Sequence, residues 1–280
     1  MEPSDLSRRE LVIEAGSSPK KYASEVWQYR SLLFMLSWRD IKVRFKQTSI
    51  GAAWALLRPL LTLTILTFVF SKVARLPSEG SAPYVLLVLS GLLPWQFFAA
   101  GLSDAANSMT DNEKLVSKIY FPRLVIPISA LAVCAVDFAI ALLILVGIFA
   151  FYGLTPEWNL LALPVVVVIA VLAALGPGLL LAALNVKYRD FRYIVPFIVQ
   201  MGIYVSPVAY STSLIPESWR TLYYLNPMAG VIDVFRWTVL GKNFSPWWPG
   251  VALSMSVLLT LLIIGVLYFR ATERSFADNI

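Results

Sequence analysis

The sequence predicts an all-α integral membrane protein. It has six transmembrane helices, an N-terminal amphipathic interface helix, and two short re-entrant helices between the fifth and sixth spans. Three observations carry that prediction. First, 58% of the 280 residues are hydrophobic and 14% charged, where a soluble domain carries about 25% charged residues; one core cannot hide that much apolar surface, so lipid is the expected solvent. Second, the apolar runs are close to the roughly 20 residues that cross about 30 Å of hydrocarbon at 1.5 Å per residue. Third, the basic residues gather in alternate connections.

The expected spans are 51–73, 83–106, 124–151, 160–185, 193–209 and 249–269. The fifth is short and the third long. Residues 1–50 form a cytoplasmic leader, and 51–280 form the six-span domain. Lys20, Lys21, Arg30, Arg39, Lys42, Arg44 and Lys46 precede the first span. Lys114, Lys118 and Arg123 lie between the second and third spans, and Lys187, Arg189 and Arg192 between the fourth and fifth. Arg270 and Arg274 follow the last. The opposite side holds Lys72 and Arg75, nothing basic in the third-to-fourth loop, and a scattered Arg220, Arg236 and Lys242. Both termini are therefore expected in the cytoplasm, and most basic residues read as topology anchors. The first 30 residues are polar and lack an apolar stretch followed by a cleavage site, so no signal peptide is expected and insertion falls to the first span.

Within the leader, Tyr22, Val26, Tyr29, Leu32, Leu33, Leu36 and Ile41 recur three and four apart. That spacing makes one apolar helix face, with Trp27 and Trp38 suited to headgroup level. The alternative is an ordinary cytoplasmic leader. Residues 108–123 form a charged island between two apolar spans, too short for a domain and too patterned for a tether; it reads as a cytoplasmic docking surface. Residues 210–248 are too long for a tight loop and too apolar for a solvated one. Asn226-Pro227 divides them into two pieces, neither long enough to span. Two short helices dipping into the outer leaflet fit, since backbone at that depth must be shielded. A weak seventh span, which would move the C-terminus outside, is the alternative.

Enzyme chemistry finds little support. The chain has no histidine, which excludes a His-based triad, a His metal site and an HExxH protease. Its one cysteine, Cys134, lies in an apolar run and reads as a buried small hydrophobe. Gly241-Lys242-Asn243 is not a phosphate-binding P-loop. No paired carboxylates face the cytoplasm as a glycosyltransferase would need. Ser206 and Ser211 have no nearby base.

Ionisable groups in the interior of the spans are few: Arg58, Asp104 and Asp137. A charge there is a functional-site hypothesis. Asp137 either pairs with Arg58 across helices, faces a polar channel, or makes a structural hydrogen bond; Asp104 is close enough to the end to snorkel. So few carboxylates argue against a proton or sodium relay. Among the abundant aromatics, Tyr84, Phe149, Phe151, Tyr152, Trp158, Trp219, Tyr223, Tyr224, Trp247 and Trp248 sit where an outer interface belt would lie. Trp95-Gln96-Phe97-Phe98 and Tyr204 lie inside spans, where a belt does not explain them. They and Asp137 are channel-lining candidates, with packing against neighbouring helices the alternative. Aromatic faces would let a sugar polymer slide without a deep well.

Several stretches, in this order and spacing, resemble a known family. They are Arg39-Asp40-Ile41-Lys42-Val43-Arg44-Phe45, Gly51-Ala52-Ala53-Trp54 with Pro59, and Gly91-Leu92-Leu93-Pro94-Trp95. Asn112-Glu113-Lys114-Leu115-Val116 follows with Phe121-Pro122-Arg123, then Asn185-Val186-Lys187-Tyr188-Arg189-Asp190-Phe191, Ser206-Pro207-Val208 and Asn226-Pro227-Met228. From about Tyr29 to the tail, the chain resembles the permease subunit of bacterial ABC exporters for O-antigen, capsule or teichoic acid. The resemblance implies a homodimer in the inner membrane, two copies of a separate ATPase subunit, and a lipid-linked polysaccharide as cargo. It implies no cofactor in this chain, since ATP and Mg would sit in the partner, and no nucleic acid. It makes Glu113, Lys114, Leu115, Lys118, Tyr120, Phe121 and Arg123 the ATPase-coupling element. Pro216, Trp219, Asn226 and Pro227 become outer-gate candidates. Competing readings are the same scaffold exporting a small drug or lipid, a membrane-embedded glycosyl- or acyltransferase, and a scaffold without transport.

Overall fold

The computed structural model describes residues 19–46, 53–78, 80, 82–119, 121–155, 157–188, 190–273 and 276, with side chains from residue 24 onward. The expectations placed on Tyr120, Arg189, Arg274 and the 51–52 start of the first span lie outside the described residues. Those residues form eleven α-helices and no strand. They are α1 (Pro19–Gln28), α2 (Arg30–Lys46), α3 (Ala53–Thr67), α4 (Tyr84–Asp111), α5 (Glu113–Lys118) and α6 (Val125–Tyr152). They continue as α7 (Leu163–Lys187), α8 (Phe191–Val205), α9 (Glu217–Tyr223), α10 (Pro227–Leu240) and α11 (Trp248–Thr272).

Five helical segments among the described residues are long and apolar enough to cross a membrane: Ala53–Val73, Tyr84–Asp111, Val125–Tyr152, Trp158–Lys187 and Trp248–Thr272. The span expected at 193–209 is helical only over Phe191–Val205, about 22 Å at 1.5 Å per residue. Pro207 accounts for the early stop: it drives the preceding residue out of helical geometry, and Ser206 is extended at φ −97°, ψ 149°. Beyond it, residues 206–209 are buried without regular structure. Helix α3 ends in a π-turn, Phe68–Val73, where Ala74 N–H donates five residues back to the Val69 carbonyl at 2.8 Å.

Helix α4 is the hub. It touches α3, α6, α7, α8 and α10, and most of its apolar residues are buried. Helices α7 and α11 run in backbone contact, since a Cβ built on Gly265 would fall 2.1 Å from the Gly176 carbonyl oxygen; small residues at a crossing allow such close packing in lipid. Asn185 of α7 donates to the Ala106 carbonyl and to Asn107 Oδ1 of α4, at 3.1 and 3.0 Å. A second core closes the end of the bundle that bears α2 and α5. Leu36, Met109, Val116, Phe121, Phe269 and Phe276 are buried there, with Val26, Tyr29, Leu32 and Leu33 packed against them. Val26, Tyr29, Leu32, Leu33 and Leu36 of the stripe read from the leader thus face this core, while Trp27, Phe34 and Trp38 on the other side of α1 and α2 are exposed. Helices α3 and α8 bury little. They leave Trp54, Leu61, Ile65 and Phe68, and Tyr193, Phe197, Met201 and Tyr204, open.

Candidate functional site

Helices α3, α4, α6 and α8, with the end of α2, enclose an open cavity of about 990 Å³. Each helix contributes one face at helical spacing. Helix α3 gives Trp54, Arg58 and Thr62; α4 gives Leu92, Gln96, Ala99 and Ser103 with Asp104; α6 gives Cys134, Asp137, Phe138 and Ala141; α8 gives Val199 and Ile203. From Asp104 to Leu92 the cleft follows α4 for about 18 Å, taking 1.5 Å per residue. One end is charged and the other apolar and aromatic.

Arg44 of α2 organises the charged end. Its guanidinium lies 2.9 Å from Asp137 Oδ2 on α6 and 3.4 Å from Asp104 Oδ2 on α4. The Cys134 thiol donates to the same Asp104 oxygen at 3.2 Å. Burial works against the Arg44 charge, but Asp137 and Asp104 outweigh it and hold its pKa above the usual value. Asp137 therefore pairs with Arg44 and also lines the cavity. Arg58 acts on it only at longer range.

At the aromatic end, Trp95 and Phe97 line the cavity. The Trp95 indole lies against Gly202 of α8 and packs on Phe98, ring centroids 5.5 Å apart. Phe97, Phe138 and Phe235 form a continuous file, at 5.3 and 6.2 Å. Phe98 is buried behind Trp95 and does not reach the cavity. Tyr204 is exposed on the outer face of α8, away from it. Gln96, named beside Trp95 among the lining candidates, is there too, whereas Arg44, Trp54 and Ser103 are cavity residues that sequence reading did not single out for it. Their signal was the recurrence of polar residues on one face of otherwise apolar helices, Gln96 with Ser103 and Arg58 with Thr62.

The charged island is anchored as well as exposed. Val116 and Phe121 turn into the second core. The Arg123 backbone N–H donates to Glu273 Oε1 at 2.8 Å, and its guanidinium lies over the Phe276 ring at 5.9 Å. Glu113, Lys114 and Lys118 are exposed, and Leu115 is partly buried. Arg39 of α2 reaches the joint between α4 and α5, donating to Asn112 Oδ1 at 3.2 Å.

At the far end, the segment between α8 and α11 is tied to the bundle. Asn226 caps α10: its side chain accepts from the Met228 N–H at 3.0 Å and donates to Ser206 Oγ at 2.9 Å. Pro227 follows at the first helical position, where its missing N–H costs nothing. Pro216 precedes α9, and Trp219 on α9 is exposed. The fully buried Arg236 donates to the carbonyls of Tyr210 at 2.9 Å, Val208 at 3.1 Å, Leu87 at 3.4 Å and Pro207. The equally buried Asp233 accepts from Thr212 at 3.0 Å and from the Tyr224 hydroxyl. The aromatics expected in an outer belt divide here: Phe151, Trp158, Trp219 and Trp248 are exposed, whereas Tyr224 is buried against Trp247.

Residues 31–240 match a family model described as ABC-2 type transporter. The chain is 31% identical over 258 residues to the O-antigen export system permease protein RfbA of Myxococcus xanthus, covering 91% of this chain and 98% of that one. It is 27% identical to the protein of the same name from Klebsiella pneumoniae, over 88% of this chain and 94% of that one. Against the polysialic acid transport protein KpsM of Escherichia coli it is 23% identical, over 86% of this chain and 93% of that one.

Proposed function

The chain belongs to the ABC-2 type transporter family, and we propose that it is the permease subunit of an exporter that moves a lipid-linked cell-surface polysaccharide across the bacterial cytoplasmic membrane. It is a transporter subunit, not an enzyme, and it is a multi-pass membrane protein. Permeases of this family work with a separate ATPase subunit. The polysaccharide is carried over from the relatives: the exports named for them are O-antigen and polysialic acid.

The observation that carries the reading is the open cavity. A polymer does not fit a closed pocket, and this cavity is a cleft about 18 Å long at 1.5 Å per residue, with one side missing. Its flanking helices, α3 and α8, expose long apolar faces. A second copy laid against them would turn two clefts into one channel and cover those faces. The end bearing α2 and α5 is then cytoplasmic, as the basic residues argue, and both termini lie there. Helix α8 with the buried 206–209 segment makes the sixth crossing, and α9 and α10 dip into the outer leaflet as a gate. ATP and Mg are bound by the partner, whose two copies meet Glu113, Lys114, Leu115 and Lys118. Nucleotide-driven closure of the ATPase pair would push this surface, and α4 and α6 would carry the shift to the cleft.

The test is ATP hydrolysis by this chain co-expressed with a candidate ATPase subunit, reconstituted in liposomes with and without lipid-linked polysaccharide. Hydrolysis stimulated by the polymer is the expected result. A complex that ignores the polymer and responds to small amphiphiles would replace the polysaccharide with a small cargo. Failure to bind any ATPase would remove the docking role of α5.

A further inference from the structure

The start of α6 is capped from the far end of the chain. Leu124, the residue before α6, has no side-chain cap to offer, and the first N–H groups of a helix find no partner within it. Just ahead of it, the Arg123 backbone N–H donates to Glu273 Oε1 at 2.8 Å, joining residues 150 apart in sequence. A carboxylate is favoured at this end of α6 by the helix dipole. On its own helix it has the wrong sign: Glu273 follows the last turn of α11, where the dipole favours a cation. Three residues on, Phe276 is fully buried; its ring packs on Phe269 at 5.2 Å, and the Arg123 guanidinium lies over it at 5.9 Å. Both contacts act on one short stretch. Helix α5 has six residues, too few to hold its shape unaided, and Val116 is its buried side chain. Helix α11, by contrast, is fixed along α7 by the close approach of Gly265 to Gly176.

We propose that Glu273 and Phe276 are positioning residues for the docking surface: the end of α11 is a strap that holds the segment between α5 and α6 in place. The consequence for transport rests on the docking role of α5, whereas the strap is a property of this chain alone. Between α5 and α6 the backbone is extended at Ile119, φ −127°, ψ 134°. A push on α5 could be absorbed by bending there. The bond at Arg123 lies beyond that joint and at the root of α6, so it removes the slack and passes displacement of α5 on to α6. It also joins the last span to the same movement, a route separate from α4. Phe276 shares its core with Val116 and Phe121, so the strap grips both sides of the joint.

Hydrogen exchange of the full chain in maltoside micelles tests the strap. Glu273→Ala should speed exchange in peptides covering 119–124 by about tenfold, the scale of one hydrogen bond to a charged group, while peptides from the middle of α4 and α11 exchange as in the parent. Glu273→Gln keeps an acceptor oxygen in the same place and should recover most of the protection. Unchanged exchange in Glu273→Ala would overturn the strap. The positioning role is tested in the liposome complex with a candidate ATPase subunit. Glu273→Ala and the milder core variant Phe276→Leu should co-purify with the ATPase and keep its unstimulated hydrolysis rate, yet lose most of the stimulation by lipid-linked polysaccharide; Glu273→Gln should retain it. A merely structural defect would lower co-purification and hydrolysis together, and that result, or full stimulation in Glu273→Ala, would overturn the positioning role. A parent complex that ignores the polymer would instead remove the polysaccharide reading, and the exchange result would still decide the strap.

Discussion

Trp95 on α4 is seated on Gly202 of α8: a Cβ at position 202 would lie 2.5 Å from the far edge of the indole. The absence of a side chain at 202 is what lets α8, a short and weakly buried helix, close over the aromatic end of the cleft. Gly202→Ala should therefore cost about 1–3 kcal/mol, as overpacking does, by pushing α8 outward or the indole into the cavity. Trp95→Phe should recover most of that loss, and thermal unfolding of the two single variants and the double variant measures the coupling. Additive losses would show that Trp95 and Gly202 do not share a contact.

Arg236 holds together what secondary structure does not. Residues 206–211 have no helix to satisfy their carbonyls, and three of those carbonyls, of Pro207, Val208 and Tyr210, end on this one guanidinium. Gly91 lets the segment approach, since a Cβ there would fall 2.4 Å from the Val208 oxygen. Removing a buried charge that satisfies several acceptors is expensive, so Arg236→Met should destabilise the protein by on the order of 3 kcal/mol. Arg236→Lys should rescue only part of this, because a lysine cannot fork to separate carbonyls. Proteolysis between α8 and α9 in membrane vesicles reads the loosening directly, and resistance equal to the parent would remove the pinning role.

The Tyr224 and Tyr223 phenols carry a pH signature. Burial first, and then the Asp233 carboxylate, push the Tyr224 pKa above its ordinary value of 10.0. Burial first, and then Tyr210, do the same for Tyr223. An acid whose pKa is raised in the fold contributes fully while both states are neutral. It loses that contribution as pH climbs past the unfolded value, because the unfolded chain ionises first. The melting temperature should therefore be insensitive to these groups from pH 7 to about 9.5 and fall above about 10. In Tyr224→Phe the alkaline fall should be shallower while the neutral-pH value is lower, since Asp233 loses a donor. An identical alkaline slope in the variant would show that Tyr224 ionises as it does in solution.

The long spans were legible because hydropathy over about 20 residues is a local property. Helices α4, α6, α7 and α11 need no partner to be recognised. The stretch expected as the fifth span is helical only to Val205, because Pro207 ends α8 and the rest is held by Arg236, a residue on another helix. The cleft was half legible. Trp95, Phe97 and Asp137 stood out as polar or aromatic groups misplaced in apolar runs, and they converge. Tyr204 stood out by the same rule and faces the opposite way, since residue type alone does not fix the rotation of a short helix. Arg44 was hidden among basic residues that all looked like topology anchors, and only the path of α2 along α6 brings it to Asp137. Ser206 with Asn226 and Arg39 with Asn112 are similar cases: each residue belongs to a stretch quoted for the family resemblance, and each finds its partner in another such stretch.

The island at α5 has an anchored face and an exposed face, and substitutions should separate them. Phe121 and Val116 fill the second core, whereas Glu113, Lys114 and Lys118 project outward. Phe121→Ala should cost about 3–5 kcal/mol locally, the range for emptying a buried aromatic site, and leave α5 open to protease. Glu113→Ala and Lys118→Ala should change stability by no more than about 0.5 kcal/mol, as exposed substitutions do, yet lower export and ATPase association together. Arg123→Ala should behave as a mixture, because its backbone N–H still reaches Glu273 while its stacking on Phe276 is lost. Tyr120→Ala should also lower export. The comparison to make is membrane insertion, protease resistance and ATPase co-purification in the same preparations. Loss of co-purification with insertion and protease resistance intact is the expected result for Glu113→Ala and Lys118→Ala. Unchanged export in the Glu113, Tyr120 and Arg123 variants alike would sever α5 from the coupling of ATP hydrolysis to transport.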